Sequence, residues 1–303
     1  MSHDVPVPGT APWFTVFTAT YNRAHTLRRV YESLLSQTMH DFEWLIVDDG
    51  STDDTEACVQ EMIRDTRLTI RYIKKSNGGV HTAHNVAIEQ ASGKLFLRLD
   101  SDDACVPQAL EALLEKWLEI PENRRYSYSG VSCLCMQPFG ELVGDAYPTD
   151  GWDSDYAVLG SLRGEKWGFH RVDVLREHRF PEFAGERFCP EGLVWARLHD
   201  KYKTRCFNVS LRIYFDSNDS ISSSMTRTRY QSPKGVALYY WEQMNRLGAF
   251  RAFRHAINYV RFSPANGGVI DAIKGASRQW LVIAALPLGL ALHCRDLLRR
   301  DCA

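Results

Sequence analysis

The chain has 303 residues, which at roughly 100–200 residues per domain is room for one large domain or two modest ones with a buried core. Hydrophobic residues make up 45%, aromatics 12% and charged residues 24%, an ordinary globular composition that excludes a disordered, collagen-like or disulfide-dense chain. The net charge of −1 on its face argues against nucleic acid or an acidic membrane surface as a partner, yet from Ser224 onward there are 12 Lys/Arg against 4 Asp/Glu, a balance of +8 that leaves −9 on residues 1–223.

The first half alternates strand-like and helix-like runs. Trp13 to Thr20 is β-rich and stops at Tyr21-Asn22. Ala24 to Gln37 carries Leu27, Val30 and Leu34 at helical spacing, with Arg28, Arg29 and Glu32 on the other side. Phe42 to Val47 is a strand closed by Asp48-Asp49-Gly50-Ser51, and Thr52 to Asp65 reads as a helix with Asp53 and Asp54 in its first turn, where the macrodipole favours them. Leu68 to Ile73 is a third strand, Gly78-Gly79 turns into a helix over Thr82 to Ala91, and Lys94 to Leu99 is a fourth strand ending in Asp100-Ser101-Asp102-Asp103. Pro107 then opens a helix to about Leu118. This alternation predicts an α/β fold with a mostly parallel, Rossmann-like sheet flanked by helices, whose functional loops lie beyond the carboxyl ends of the strands. The clusters Thr20-Tyr21-Asn22, Asp48-Asp49 and Asp100 to Asp103 all fall there.

Beyond residue 125 the pattern changes. Tyr126 to Met136 reads as a strand, Asp145 to Gly164 is rich in Gly, Asp and aromatics, and Pro190-Glu191-Gly192 precedes a helical run with Val194, Trp195 and Leu198. Asp216 to Ser224 is polar and loop-like. From Gly235 the chain is helical, with Phe250, Phe253, Ile257 and Val260 on one face and Arg251, Arg254 and Arg261 off it, and a further helix begins near Val269. Eight cysteines (58, 105, 133, 135, 189, 206, 294, 302) show no paired metal spacing and read as buried free thiols, with Cys133 and Cys135 on one face of a strand. The N-terminal MSHDVPVPGTAPW has neither the basic nor the apolar region of a signal peptide, so a reducing, cytosolic setting is the expectation.

The three acid-bearing loops carry the chemistry. Close carboxylates repel unless a cation sits between them, and hard oxygens suit Mg²⁺ or Mn²⁺. The plainer reading is that acidic loops cap helices, although Asp103 reaches the helix after Pro107 only loosely and two acids would stay idle. In the second loop Gly50 makes a turn and Ser51 or Thr52 an N-cap. A carboxylate there can also accept the imide N–H of a uracil, and Tyr21 could stack on the base. Neither a Walker loop nor a G-x-G-x-x-G occurs, which disfavours P-loop and dinucleotide sites. Gly78-Gly79 before a helix could approach a phosphate. His81 and His84, three apart, read as exposed or capping histidines sooner than as a zinc pair.

Taken together, FTATYNRA, LLSQT with DFEWLIVDDGSTDDT, SNGGVHTAHNVAIEQASGKLFLRLDSDD and the later FAGERFCPEGLVWARL resemble family-2 glycosyltransferases of the GT-A fold, in order over about 13–120 and more loosely to 225. The resemblance implies a GT-A catalytic domain over 1–225, with a nucleotide-sugar half at about 13–120 and an acceptor half at 121–225, followed by a helical, basic region over 226–303. It implies inverting transfer from a nucleotide-sugar, usually UDP-linked, with Mn²⁺ or Mg²⁺. Residue by residue, Ala19, Tyr21 and Asp49 fall where the family holds uracil, with Arg23 nearby, and Asn77 and Asn85 fall in the segment lining the nucleotide. Asp100, with Ser101 beside it, lies where ribose or donor sugar is bound, and Asp102 where the metal is ligated. Glu191 lies where the catalytic base is kept, with Trp195 near the acceptor. Two departures stand out: His84 occupies a position where many relatives have a basic residue, which points to weaker or pH-sensitive diphosphate contacts. Glu191 also has acidic neighbours, Glu186 and, in the preceding loop, Asp153 and Asp155.

Leu281 to Leu292 is a 12-residue apolar run containing Pro287 and Gly289, short of the roughly 20 residues that cross a bilayer. Trp280 precedes it and Arg295, Arg299 and Arg300 follow, as in a surface-lying membrane element; the alternative is a helix pair packed on the catalytic domain. The expected activity is addition of a sugar to a cell-surface glycan, the acceptor being a glycan or lipid-linked saccharide met at the cytoplasmic face of the membrane. A sugar nucleotidyltransferase or an inactive sugar-nucleotide-binding scaffold is the alternative, the first disfavoured because FTATYNRA has one Arg and no Gly.

Overall fold

The computed structural model describes residues 11–154, 156–216 and 225–300. Asp155, the 217–224 part of the polar loop and the side chains of Arg299 and Arg300 lie outside the described residues. The chain forms two compact units, one of residues 1–179 and 194–217, the other of 180–193 and 218–303. The division is therefore not a single cut near 225, because residues 180–193 group with the C-terminal helices.

In the first unit β1 (Phe14–Thr20), α1 (Ala24–Leu35), β2 (Phe42–Asp48), α2 (Thr55–Arg64), β3 (Ile70–Lys74), α3 (Val80–Gln90) and β4 (Leu95–Arg98) alternate as the periodicity predicts. There follow β5 (Ala104–Cys105), α4 (Ala109–Leu118), β6 (Tyr128–Met136), β7 (Trp152–Asp153), α5 (Tyr156–Leu159), β8 (Lys166–Arg171), α6 (Val172–Glu177), α7 (Gly192–His199) and β9 (Lys203–Ile213). The nine strands make one sheet ordered β3-β2-β1-β4-β8-β6-β9-β5, with β7 on β9. Strands β3, β2, β1 and β4 run parallel, and β8 joins β4 antiparallel. All seven residues of β2 are buried, as a parallel strand covered on both faces requires. Helix α1 buries Leu27, Val30 and Leu34 on its sheet side. Phe14 and Trp117 meet Phe169 edge-on at 5.4 and 5.8 Å, tying β1, α4 and β8 into one core.

Helix α2 starts at Thr55, three residues later than expected. The reason is local: Asp53 accepts the Thr55 N–H at 3.1 Å and its hydroxyl at 2.5 Å. Ser51, expected to cap, instead accepts the Asn22 N–H at 2.9 Å.

The second unit contains α8 (Met225–Gln231), α9 (Pro233–Arg246), α10 (Ala249–Phe262), α11 (Val269–Gly275) and α12 (Gln279–Arg300). Its core gathers Tyr230, Val236, Tyr240, Met244, Val260, Phe262, Leu281 and Val282. The apolar run of 12 residues is only the middle of α12, which continues through Pro287 for 22 residues. A Cβ at Gly289 would lie 2.5 Å from Val260, so only glycine lets α12 approach α10 this closely. Over 279–298 the helix is long and apolar enough to cross a membrane by length and composition, a correction to the shorter span read from sequence.

Candidate active site at the carboxyl edge of the parallel strands

Strand register sets the site. Thr20 at the end of β1 lies beside Asp48 at the end of β2, and Phe17 lies beside Arg98 at the end of β4. The segments that follow, 21–23, 49–51 and 99–103, emerge at one edge of the sheet, as the alternation predicts.

The first two loops are laced together. Asn22 sits at φ +54°, a conformation asparagine tolerates, and its side-chain oxygen accepts the Thr52 N–H at 2.8 Å. The Arg23 N–H reaches the Thr55 hydroxyl at 3.1 Å. This leaves Tyr21 47% exposed at the rim, with Ala19 half-buried one turn of the strand below.

Asp48 and Asp49 are both buried but do different jobs. Asp48 accepts the Ser51 N–H at 2.7 Å and the Tyr72 hydroxyl at 2.5 Å, which pins the turn. Burial and Asp48 together raise the Tyr72 phenol far above its ordinary value. Asp49 accepts Lys75 Nζ at 2.7 Å, the Gly78 N–H at 2.9 Å and the Gly79 N–H at 2.7 Å. The Gly78-Gly79 turn, read from sequence as an approach to phosphate, is thus held by a carboxylate. Gly50 has φ +88°, and a Cβ there would meet the Asn77 backbone nitrogen at 3.0 Å, so this position admits only glycine without strain and fixes Asn77 against the turn.

The acids of the 100–103 loop are not idle. Asp100 accepts Arg98 Nε at 2.7 Å on one oxygen and Arg212 Nη2 at 2.5 Å on the other. Burial would raise its carboxyl, but Arg98 and Arg212 outweigh that and hold it at about 2. Asp103, 1% exposed, accepts Arg212 Nε at 2.6 Å and the Phe215 N–H at 2.9 Å, so it ties the loop to β9 instead of capping α4. Burial raises its carboxyl against the pull of Arg212. Arg29 grips the Asp102 carbonyl and lies 3.8 Å over the Phe215 ring. Ser101 is buried within the loop. Arg98, Arg212 and Arg29 carry no motif signal; the partners are 112 residues apart in one case.

A divalent cation fits this loop in one way. Among the described residues no group of three or more His, Cys, Asp or Glu gathers, so a closed protein cage is absent from them. Mg²⁺ or Mn²⁺ in a phosphate site needs only one or two carboxylates, with substrate phosphates and water supplying the rest. Asp102, where the resemblance puts the metal ligand, lies on the same loop as Asp100 and Asp103.

His81 and His84, expected exposed, are 2% and 3% exposed. Helix α3 lies on the sheet, so His84 packs edge-on against Phe17 at 5.6 Å, Phe96 at 5.1 Å and Trp195 at 6.1 Å. Burial, with Arg98 and His170 adding to it, pushes the His84 pKa well below the ordinary value. This buried position corrects the expectation of an exposed histidine. Asn85 is buried on the same helix. Trp195 stacks face-on with His170 at 5.0 Å, and burial lowers His170 to about 3.

Glu186 and Glu191 belong to the other unit. The Glu186 carboxylate accepts the Lys234 N–H at 2.7 Å and the Gly235 N–H at 2.9 Å, closing the N-terminus of α9. Glu191 is half-buried immediately before Gly192, the first residue of α7.

Residues 15–127 match the glycosyl transferase family 2 model. A GalNAc(5)-diNAcBac-PP-undecaprenol beta-1,3-glucosyltransferase from Campylobacter jejuni is 27% identical over 229 residues, 73% of this chain and 70% of that protein. Other relatives, polysaccharide synthases, are far longer, and the match spans 14–15% of their length. Among solved structures, TarS 1–349 of S. aureus in complex with UDP-GlcNAc superposes with a TM-score of 0.59 at 20% identity, over 90% of this chain and 79% of that one. The mannosyltransferase PcManGT of Pyrobaculum calidifontis with GDP-Man and Mn²⁺ gives 0.55 at 16% identity, over 96% and 90%. Residues 15–127 thus carry a family-2 glycosyltransferase match, and the sheet has the GT-A fold of these solved structures.

Proposed function

We propose that this enzyme transfers a sugar from a UDP-linked donor to a hydroxyl of a glycan or lipid-linked saccharide, with inversion, in the synthesis of a cell-surface polysaccharide. The observation that carries the proposal is the convergence of Tyr21, Asp49 and the Asp100–Asp103 loop on one edge of the parallel sheet. An ionised carboxylate offers about four acceptor positions; Asp49 spends three on Lys75, Gly78 and Gly79, and the one remaining on Oδ2 takes the imide N–H of uracil. Tyr21 stacks on the base, with Ala19, Arg23, Asn77 and Asn85 lining the nucleotide. Asp100, kept ionised by its two arginines, accepts from a hydroxyl of the ribose or donor sugar. The UDP complex of a protein with the same fold supports this reading.

Inversion requires one in-line displacement. Glu191 takes the proton of the acceptor hydroxyl, the acceptor oxygen bonds to the anomeric carbon, and the bond from that carbon to the diphosphate breaks on the opposite face. Asp102 would hold Mn²⁺ or Mg²⁺, whose charge offsets that developing on the departing diphosphate. Glu186 closes the N-terminus of α9, and Glu191 is the base in this reading. The glucosyltransferase relative, named for a polyprenol-linked acceptor, supports a lipid-linked substrate and a place at the cytoplasmic face of a membrane.

The test is incubation of the purified chain with a panel of nucleotide-sugars, Mn²⁺ and a saccharide acceptor, following what is released. The expected product is UDP from one UDP-sugar, with an inverted anomeric configuration in the glycan. Release of pyrophosphate would instead indicate nucleotidyl transfer, and tight binding without turnover an inactive scaffold.

A further inference from the structure

We infer that α12 lies flat on an anionic membrane surface, its outward stripe in the lipid and its inward side latched to the helical unit. The inference deepens the membrane placement proposed above and rests on it for the acceptor alone. The helix has two faces. Inward are Leu281, Val282, Ala285 and Gly289, with the buried Asp296. Outward, at helical spacing, stand Trp280, Ile283, Ala284, Pro287, Leu288 and Ala291, all exposed. An apolar helix in a protein core would be covered; only 28% of this one is buried.

The inner side decides between lying and crossing. Asp296 accepts Arg261 Nε at 2.6 Å and the Tyr230 hydroxyl at 3.2 Å, and that hydroxyl lies 3.0 Å from His293 Nδ1. A helix bound through a buried ion pair to α8 and α10 cannot turn all its faces to hydrocarbon without carrying or breaking that pair. The inward side is thus fixed to the helical unit, and only the outward apolar stripe is left to meet lipid in the interfacial plane.

Charge selects the occupant. Arg187, Arg227, Lys234, Arg251, Arg254, Lys274 and Arg295 are exposed in this unit, against two exposed acids, Glu182 and Asp271, among its described residues. Anionic headgroups answer such an excess. A second copy of the chain, meeting the same face about a two-fold axis, would set like charges against like.

The test floats the full chain with vesicles of phosphatidylcholine alone and of phosphatidylcholine mixed with phosphatidylglycerol. Flotation with the mixed vesicles, weakened by salt and released by alkaline carbonate, is expected. The double variant Ile283→Glu, Leu288→Glu changes only outward side chains, so its melting and its UDP release with a water-soluble acceptor should match the parent while flotation falls at least about tenfold. Undiminished flotation of the double variant would overturn the role of α12 while leaving membrane placement intact. Parent bound through carbonate, or a solution dimer that the double variant dissociates, would overturn it in favour of a crossing helix or a self-interface. A parent that floats with neither vesicle overturns it as well, and UDP release then reports separately on glycosyl transfer.

Discussion

Replacing Glu186 by Ala separates a structural acid from a chemical one five residues away. Pro233, at the first position of α9, has no N–H, so the first donors of the helix are Lys234 and Gly235, and Glu186 accepts both at 2.7 and 2.9 Å. The carboxylate also faces the positive end of the helix dipole. Loss of a capping oxygen costs about 0.5–2 kcal/mol and a hydrogen bond to a charged group about 1.5–3. Water reaches this half-buried site and recovers part of it, so a net loss of about 2 kcal/mol follows, roughly 3 °C in Tm for a chain of this size. Glu186→Gln keeps one accepting oxygen and should lose about half as much. Glu191→Gln, by contrast, should lose about 10²–10⁴ in turnover, the usual contribution of a general base. Thermal unfolding by circular dichroism, paired with UDP release well below the transition, reads both quantities. If Glu186→Ala melts with the parent and loses turnover as Glu191→Gln does, the cap is not its function and the base has been misassigned.

Arg212→Met leaves Asp103 and Asp100 without their shared buried cation, which should cost about 3–5 kcal/mol in a denaturant titration; Arg212→Lys, a point charge in place of a fork, should recover only part. His84 and His170 have folded pKa values below the unfolded value, so the unfolded chain binds more protons below about pH 6.5 and stability is lost as pH falls from there, toward about 3 for His170. Each contributes up to about 1.4 kcal/mol per pH unit, and His170→Phe should flatten the midpoint-versus-pH curve between pH 7 and 5. Asp102→Asn should raise the Mn²⁺ concentration for half-maximal turnover at least about tenfold; an unchanged metal titration would remove it as the ligand.

Much of the first unit was legible because its signals are local. Leu27, Val30 and Leu34 bury one face of α1, β2 is apolar throughout, and acids after a strand stand at the carboxyl edge whichever partners the strand finds. The roles of individual polar groups were less legible. Asp103 looked like a poor cap since its partners, Arg212 and Phe215, lie 109 and 112 residues further along the chain. His84 looked like a solvent-facing substitute for a basic residue, since its burial depends on Phe17, Phe96 and Trp195 arriving from three other elements.

The near-zero net charge divides, on sequence alone, into an acidic stretch and a basic one, and the strand–helix alternation with its acid loops determines the fold and the edge where chemistry can occur. Periodicity and strand-end position are properties of short segments. Which carboxylate is paired with arginine, which one caps a helix, and which face of α12 is left bare were decided only by tertiary packing, because burial and ion pairing depend on neighbours up to 112 residues away.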